Sequence, residues 1–392
     1  MNAADFRAPA AGRIVRSVEG FDTVVPALLP PDIRYDAAMA MALSRADTAL
    51  SELSGVGRLL PNPHLLTTLY VQTEAILSSR IEGTRTSLAD LLLEDIGDAS
   101  DAPDNEVDRQ EVRNYIVASE LGLTWLGEGR PVSLYLIREL HQTLMSQVRG
   151  ELASPGEFRT IQNWIGPKGS RIQDAAYVPP PPEPLTGLLE DWDRFFHATD
   201  VKPDLIQCAV LHEQFEAIHP FIDGNGRVGR LLIPLFLMHR RRLSQPLLYL
   251  SEFLEANRPA YYDLLQRIRT HGDWTSWIHF FLTGVEVTAR RATRQTNLLI
   301  DLREDFRHRV ADKPRALALI DHLFGNPYLT TRRAQRILDA SNPTARTAVH
   351  ALEAAGIVER LPDRSWRQLY VCQAIFDILS GRAAEREPGP RS

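Results

Sequence analysis

Residues 219–230 of this 392-residue chain run His-Pro-Phe-Ile-Asp-Gly-Asn-Gly-Arg-Val-Gly-Arg. Apolar residues recur at helical spacing on both sides, at Leu205, Ala209, Phe215 and Ile218 before the stretch and at Leu231, Leu232, Leu235 and Met238 after it. This spacing predicts a polar loop that joins two core helices. Phe221 is apolar, so we expect it to anchor the loop in the core while the polar residues face outward.

The glycines and arginines of this loop suit a polyphosphate. Gly224 and Gly226 have no Cβ, so backbone N–H groups can approach an anion closely. The helix predicted to begin at Arg227 presents its unpaired amides and its positive dipole end to the same place. Arg227 and Arg230 lie three residues apart on one helix face and suit bidentate phosphate contacts.

Three further side chains of the loop carry chemistry. Asp223 is a hard oxygen ligand that suits Mg²⁺ bridging phosphate oxygens. His219 can accept a proton from an attacking hydroxyl, because the pKa of an imidazole lies near neutrality. Asn225 offers an amide donor to the phosphates. A lone Asp-Gly-Asn-Gly is usually only a turn, so the functional hypothesis depends on all the positions of the loop together.

Composition excludes several classes of protein. The chain has 44 Lys and Arg against 50 Asp and Glu, a net charge of −6, and 44% hydrophobic residues, as expected for a soluble globular protein. Its two cysteines, Cys208 and Cys372, are far apart, which disfavours a disulfide framework or a thiolate zinc site and favours a reducing cytoplasm. The longest apolar run, residues 231–238, is too short to cross a membrane, and no secretory signal is visible. We therefore expect a cytoplasmic protein without a membrane partner.

The hydrophobic pattern predicts a mainly α fold up to about residue 310. Residues 1–35 contain several prolines and predict an irregular arm, and the segment from Gly55 to Pro63 is expected to end the first helix. Helical spacing predicts helices over 37–53, 65–80, 107–123, 132–145, 185–196, 204–219, 227–240, 259–269 and 274–306. The exception is Arg159 to Pro184, whose alternation around the turn 166–169 predicts a β-hairpin.

The composition changes after Asp312. Residues 312–392 carry 12 Arg and Lys against 9 Asp and Glu, so they are mildly basic while the rest of the chain is acidic. Helices are predicted over 315–324, from Thr330 to Leu338, and from a turn at 341–343 to Ala354. Two strands, 357–360 and 368–371, flank a predicted turn at 362–365. Three short helices and a two-stranded ribbon indicate a winged helix-turn-helix, and the tail after Gly381 is expected to be disordered.

The loop also resembles a known family. His-Pro-Phe-x-Asp-Gly-Asn-Gly-Arg-x-x-Arg is the complete signature of Fic-domain proteins, and every fixed position is present in residues 219–230. Most members are adenylyltransferases that move AMP from ATP to a Ser, Thr or Tyr hydroxyl of a target protein and release pyrophosphate. By this resemblance His219 would be the general base and Asp223 the Mg²⁺ ligand. Gly224, Asn225 and Gly226 would form the anion-binding nest, and Arg227 and Arg230 would hold the β- and γ-phosphates.

The resemblance implies a fold and a domain order. The expected fold is a Fic helical core with a β-hairpin flap, an N-terminal helical region carrying an inhibitory helix, and a C-terminal winged helix-turn-helix. The expected divisions are 1–110 for the N-terminal arm and helical region, 111–311 for the Fic catalytic domain, 312–380 for the winged-helix domain and 381–392 for the tail. Dimers are common among relatives, so we expect a homodimer.

A second motif lies upstream at residues 78–83, Ser-Ser-Arg-Ile-Glu-Gly. It matches the inhibitory pattern of the family, in which Ser78, Glu82 and Gly83 are the fixed positions. Glu82 near a helix C-terminus is unfavourable against the helix dipole, and a salt bridge with Arg230 would compensate it. That bridge would occupy the guanidinium needed by the γ-phosphate, so the enzyme is expected to rest in a low-activity state. In the family this glutamate can also serve the reverse reaction, removal of AMP.

The resemblance also assigns substrate contacts. The hairpin at 159–184 resembles the family's flap, which lays an extended target segment beside the active site by strand addition; its target-docking residues would be Ile172, Tyr177 and Val178. Tyr261 and Tyr262 stand where relatives hold the nucleoside between aromatic rings. An Asn that some relatives use farther along that helix is Arg269 here. The expected nucleotide-binding residues are Glu82, His219, Asp223, Gly224, Asn225, Gly226, Arg227, Arg230, Tyr261 and Tyr262.

Other functions remain open at this point. Fic-like kinases have Lys in place of Gly226, which argues against kinase activity, whereas transfer of UMP or phosphocholine uses the same signature. A zinc hydrolase is disfavoured because the sequence after His212 lacks a second His at i+4. A DNA-binding regulator is the alternative of a different class, with Arg332, Arg333, Arg336 and Arg346 as candidate phosphate contacts.

Overall fold

A computed structural model describes residues 1, 3–6, 8–58, 63–97, 106–148, 154–166, 169–361 and 368–382. Its helices are α1 Ala37–Arg58, α2 Pro63–Ile81, α3 Leu88–Asp95, α4 Glu106–Gly127, α5 Leu134–Leu144, α6 Leu185–His197, α7 Asp204–Ile218, α8 Asn225–His239, α9 Ser251–Ala256, α10 Arg258–His271, α11 Trp274–Arg309, α12 Pro314–Gly325, α13 Thr331–Leu338, α14 Asn342–Ala354 and α15 Gln373–Leu379. Its strands are β1 Gly12–Arg16, β2 Asp22–Pro26, β3 Tyr328–Thr330, β4 Glu359–Arg360 and β5 Leu369–Val371. The predicted mainly α fold is confirmed. None of the helices in these ranges combines the length and apolar character that a membrane span requires.

Helix α7 lies at the centre of the core. It is buried on every side from Leu205 to Ile218 and packs against α6, α8 and α11. Indole groups of the flanking helices satisfy two of its carbonyls: Trp192 donates to Leu211 O and Trp277 to Ala209 O, both at 2.9 Å. The two helices predicted around the signature loop are therefore the two central helices, and the loop between them is held by the core.

Several predicted helix ends were wrong, and three short helices were not predicted. Helix α1 continues through Gly55 to Arg58 because Gly57 allows close packing: a Cβ there would lie 2.7 Å from Ser244 Oγ. Helix α3 is set by a capping box between Ser87 and Asp90, a sequence pattern that could have identified it. The other two unpredicted helices are α9 and α15.

The N-terminal arm is more regular than predicted. Strands β1 and β2 form an antiparallel pair, in which Thr23, Val24 and Val25 are buried. Val24 N also donates to Val178 O at 2.9 Å. This contact attaches the N-terminal pair to the segment that was predicted to form the flap.

The β-hairpin predicted at 159–184 does not form a regular antiparallel ladder. Within the described residues, a single antiparallel bridge joins Ile165 to Tyr177, and a 3-10 turn spans Ile172–Asp174; Pro167 and Lys168 of the predicted turn lie outside the described ranges. Gln162 Nε2 donates across the segment to Pro179 O at 3.0 Å, and other polar groups of the segment serve the signature loop. Arg159 Nε donates to His219 O at 2.9 Å, and Asn163 Nδ2 donates to Phe221 O at 2.8 Å.

The C-terminal part contains the three predicted helices and one strand more than predicted. Strands β3, β5 and β4 form an antiparallel sheet in that order beside α12, α13 and α14. Asn342 and Pro343 begin α14 and do not form a separate turn. The predicted turn at 362–365 lies outside the described residues, as does the predicted tail beyond Arg382. The assignment as a winged helix-turn-helix stays a prediction, as do the domain boundaries.

Arg333 has a structural role that the sequence did not indicate. Its guanidinium donates to His322 O at 3.0 Å, to Asn326 O at 2.8 Å and to Tyr328 O, and so binds the end of α12. Burial lowers the pKa of Arg333 to about 10. This side chain is therefore committed within the protein, whereas Arg332, Arg336 and Arg346 are exposed.

Replacing Ser87 by Ala should destabilise α3. The change removes the hydroxyl that accepts from Asp90 N, and loss of such a cap costs about 1 kcal/mol. Urea denaturation followed by circular dichroism measures the change. Ser51→Ala, at an exposed position inside α1, is the matched control and should be neutral or slightly stabilising. Equal effects of the two substitutions would contradict the capping assignment.

Candidate active site

The signature loop is closed by Asn225. His219 (φ +49°) ends α7 in the left-handed region, and Gly224 (φ +79°) precedes α8. Phe221 is fully buried, and the Asn225 side chain accepts from Phe221 N and donates to Phe221 O, both at 2.9 Å. The expectation that the Asn225 amide faces the phosphates was therefore wrong. Asn225 offers its backbone to the nest, because its side chain is engaged within the loop.

His141 is a residue of this site that sequence reasoning missed. Its Nδ1 accepts from Gly156 N at 2.9 Å, so Nε2 carries the hydrogen and donates to Asp223 O at 3.0 Å. The ring stacks on Phe221 with centroids 3.7 Å apart. Burial lowers the pKa of His141 to about 4, which keeps the ring neutral. In sequence, a histidine on the apolar stripe of α5 carries no sign of this contact.

A cavity of about 660 Å³ opens above the loop and the first turn of α8. It gathers most of the predicted residues in one place. Those that line it are Glu82, Tyr177, His219, Asp223, Gly224, Asn225, Gly226, Arg230, Tyr261 and Tyr262. Ser78 lies behind Arg230 and is fully buried, while Gly83 (φ +108°) follows the end of α2.

Arg230 is paired with the upstream motif. Its Nη2 lies 2.6 Å from Glu82 Oε1 and 3.0 Å from Ser78 O, and its Nε donates to Ser78 Oγ at 2.8 Å. The Arg230 side chain is 2% exposed and the Glu82 side chain 35%. Burial acts to raise the pKa of Glu82, but the Arg230 guanidinium outweighs it and holds that pKa below its usual value. The carboxylate is therefore ionised at neutral pH.

Gly226 makes room for this pair. A Cβ at Gly226 would overlap Oε1 of Glu82 and would lie 2.9 Å from Nη1 of Arg230. The absence of a side chain at Gly226 thus leaves space for the Glu82–Arg230 pair.

Arg227 does not share the cavity with Arg230. Its guanidinium is 3.1 Å from Glu111 Oε2 and 3.3 Å from Met145 Sδ, and the residue is 3% exposed. The expectation of two arginines presented on one face was wrong, because the long side chains diverge toward different neighbours. Arg227 binds α8 to α4, and its role toward the phosphates stays a prediction.

His219 is arranged as a proton acceptor. Its Nδ1 lies 3.3 Å from Glu216 O, and since a carbonyl only accepts, Nδ1 carries the hydrogen and Nε2 is left as the basic nitrogen. Desolvation, together with the charges of Arg269 and Arg159, lowers the pKa of His219 to about 3. The ring is therefore neutral and able to accept a proton at physiological pH.

The two tyrosines differ in their availability. Tyr261 is buried, with its OH 2.9 Å from Nε2 of His212, whose Nδ1 lies 3.2 Å from Gly229 O. Burial lowers the pKa of His212 to about 3, so the neutral ring donates to the carbonyl through Nδ1 and Tyr261 OH donates to Nε2. Tyr262 is 42% exposed with its ring 5.0 Å from that of Tyr261. Tyr262 therefore offers the accessible ring face.

The predicted target-docking side chains are mostly buried. Tyr177 is 1% exposed, its OH donates to Ala217 O at 2.9 Å, and Arg269 lies over its ring at 4.0 Å. Val178 is also buried, whereas Ile172 is half-buried on its 3-10 turn. The side chains of Tyr177 and Val178 are thus committed to the core. Their main chain is also engaged, because Tyr177 is bridged to Ile165 and Val178 O accepts from Val24 N.

Asp223 fits a magnesium ion that is held mainly by its substrate. The Asp223 side chain is exposed at the cavity, with Oδ1 accepting from Gly224 N at 2.6 Å. Mg²⁺ commonly uses one or two carboxylates together with waters and substrate phosphates. In the described part of the chain, no group of three or more His, Cys, Asp or Glu residues is arranged to hold a metal. The residues therefore fit Mg²⁺ together with a nucleotide.

Comparisons with known proteins agree with this geometry. The Fic/DOC family N-terminal region matches residues 40–124, and the Fic/DOC family domain matches residues 131–237. The protein adenylyltransferase Fic of Drosophila ananassae is 28% identical over 182 residues, which are 45% of this chain and 33% of that protein. The corresponding protein of Drosophila erecta is 31% identical over 155 residues, 39% of this chain and 28% of that protein. The matched region thus spans about a third of the length of these curated relatives.

The fold is shared with a solved structure. A Fic family protein from Desulfovibrio desulfuricans G20 is 20% identical, and the match covers 87% of this chain and 98% of that one with a TM-score of 0.57. At this identity the similarity concerns the fold alone.

Removing the charge of Glu82 should make stability less sensitive to acid. A carboxylate whose pKa is lowered by folding contributes stability above its unfolded pKa, and this contribution is lost as the pH falls through the folded pKa. Glu82→Gln should therefore lower the melting temperature at pH 7, with the difference from wild type shrinking below about pH 4.5.

The exposed Glu128, 3.5 Å from Arg130, provides the matched control for this series. Because exposed ion pairs contribute little, Glu128→Gln should hardly change the melting temperature at either pH. If the difference in melting temperature between Glu82→Gln and wild type does not change with pH, Glu82 is not charged in its pair with Arg230.

Proposed function

We propose that this Fic-domain chain is an autoinhibited protein adenylyltransferase that transfers AMP from ATP to a Ser, Thr or Tyr hydroxyl of a target protein and releases pyrophosphate. The observation that carries the proposal is the convergence of a neutral His219, the N-terminus of α8 and Arg230 on one cavity. A base, an anion-binding helix end and a cation are the groups that attack on a nucleotide phosphate requires.

The residues of the cavity divide the work of the reaction. Nε2 of His219 accepts the proton of the target hydroxyl as its oxygen attacks the α-phosphorus, and pyrophosphate leaves on the opposite side. The backbone N–H groups of Asn225 and Gly226, at the start of α8, stabilise the charge on the phosphate oxygens. Asp223 would hold Mg²⁺ together with the phosphates, and the ion would supply positive charge against the polyphosphate. His141 keeps Asp223 and the loop in place through Asp223 O.

Autoinhibition follows from competition for Arg230. The nitrogens Nε and Nη2 of Arg230 are bonded to Ser78 and Glu82, so a γ-phosphate must displace Glu82 to gain the guanidinium. Separating a buried charge from its partner is costly. Glu82 is the more exposed partner and lies at the end of α2, so activation requires movement of this end of the helix and not of α8.

Other aspects of the proposal are carried by the resemblance alone. On that resemblance we extend the proposal to self-modification, the reverse removal of AMP and a homodimer. Transfer of UMP or phosphocholine remains an alternative donor chemistry. DNA binding through the C-terminal part stays the alternative function, with one of its four candidate arginines, Arg333, already engaged internally.

The function is tested with α-labelled ATP and Mg²⁺ in the presence of a cell extract. Glu82→Gly should raise transfer of label to protein at least about tenfold, because a buried charged pair of this kind is worth more than 1.4 kcal/mol. Glu82→Gly combined with His219→Ala should abolish transfer. Intact-mass measurement shows whether the added group is AMP and whether the chain itself is modified.

Glu128→Gly is the matched control for the activating substitution, because Glu128 also follows the end of a helix but pairs only at the surface. Glu128→Gly should transfer as much label to protein as the wild type does. Equal labelling of the activated and the His219→Ala proteins would reject the proposed function.

A further inference from the structure

The buried polar side chains of α7 are all partnered except one. Those with partners are Gln207, bonded to Phe195 O; His212, to Tyr261; Glu213, 3.5 Å from Arg269; and Gln214, bonded to Ala27 O. Glu216 is 6% exposed, and its Oε1 has no hydrogen-bond partner among the described residues. An unpartnered buried carboxyl oxygen costs folding free energy, so its presence calls for an explanation outside the free protein.

Glu216 lies in the candidate active site. It lines the cavity one helical turn before His219, together with Tyr261 and Tyr262. The niche around its carboxyl depends on Gly229, where a Cβ would lie 2.7 Å from Oε1. Burial raises the pKa of Glu216 to about 7. Both protonation states keep an acceptor oxygen, because the protonated form retains its carbonyl.

The unpaired oxygen is not explained by the inhibitory contact. Arg230 directs its hydrogen bonds to Ser78 and Glu82, and none of them reaches Glu216. Glu213, one turn earlier and equally buried, shows how a carboxylate on this helix is satisfied when it has a structural role, since it pairs with Arg269. Glu216 has no such partner: its Oε1 is buried against Gly229, and the residue lines the cavity.

We propose that Glu216 is a specificity-determining residue that accepts a hydrogen bond from the nucleoside of the bound nucleotide, either from a ribose hydroxyl or from an amino group of the base. The inference rests on the proposed function. The ionised carboxylate cannot pair with phosphate oxygens, which are negatively charged acceptors, whereas the hydroxyl and amino groups of a nucleotide that can donate to it belong to the nucleoside. Burial raises the pKa of Tyr261 most, and the nearby charge of Glu216 raises it further. The carboxyl therefore lies close to the predicted nucleoside contacts.

The test measures nucleotide binding by calorimetry in the Glu82→Gly background with Mg²⁺ present, so that it does not depend on transfer. The probes are ATP, 2′-deoxy-ATP, 3′-deoxy-ATP, ITP, which lacks the 6-amino group, and tripolyphosphate. Glu216→Ala should weaken ATP at least about tenfold, as expected for loss of a hydrogen bond to a charged group. Tripolyphosphate binding should not change.

The analogues identify the donor. The analogue that lacks the donor should bind weakly to the protein with Glu216, and Glu216→Ala should not lower its affinity further. The affinity of the other analogues should fall as much as that of ATP. Glu216→Gln keeps a carbonyl acceptor and should restore part of the affinity. Glu213→Gln is the matched control and should leave the discrimination among analogues unchanged.

The outcomes separate the two proposals. If Glu216→Ala weakens every nucleotide except one analogue, and no AMP transfer occurs, this inference is supported and the proposed function is rejected. If AMP is transferred but Glu216→Ala affects all the analogues alike, only this inference is overturned. It is also overturned if Glu216→Gln has a lower melting temperature and unaltered nucleotide affinities, because that result indicates a structural role. Absence of nucleotide binding in every variant rejects both.

Discussion

A guanidinium that is 2% exposed must be paired, and the buried charge of Arg230 therefore constrains everything around it. Ser78 satisfies it from behind through both its hydroxyl and its carbonyl, which fixes α2 against α8. Glu82 satisfies it at the cavity, where the pair is open to competition. Under the proposed function, the contact that pairs Arg230 in the folded structure is also the one that an incoming phosphate replaces, so stability and activity would oppose each other here.

The signature loop shows how structural and chemical roles are divided within one short segment. Phe221 and the Asn225 side chain hold the loop against the core, and His141 holds it from α5. The groups that line the cavity are Nε2 of His219, the Asp223 carboxylate, which also accepts from Gly224 N, and the backbone at the start of α8. Positions that are equally polar in sequence therefore have different roles. A side chain whose polar atoms are all bonded to main-chain partners holds the loop, and one that keeps a polar atom at the cavity is left for chemistry.

Periodicity was sufficient to predict the helices on both sides of this loop, because α7 and α8 are long and strongly apolar. The pairing of Glu82 with Arg230 came from the family resemblance and not from spacing. The contacts that were missed join residues distant in sequence, such as Arg227 to Glu111 and His141 to Asp223. Within the described residues the predicted hairpin forms a single bridge, and its polar groups are shared: Arg159 and Asn163 donate to the signature loop, while Arg159 also donates to Pro180 O across the segment. Alternation within a segment cannot reveal such partners.

Gly226 links two positions that are far apart in the chain. A Cβ there would meet Oε1 of Glu82, so a side chain at 226 requires the flexible end of Glu82 to move away from its present place. Among related chains, we therefore expect a residue larger than glycine at this position to accompany a displaced or missing upstream carboxylate.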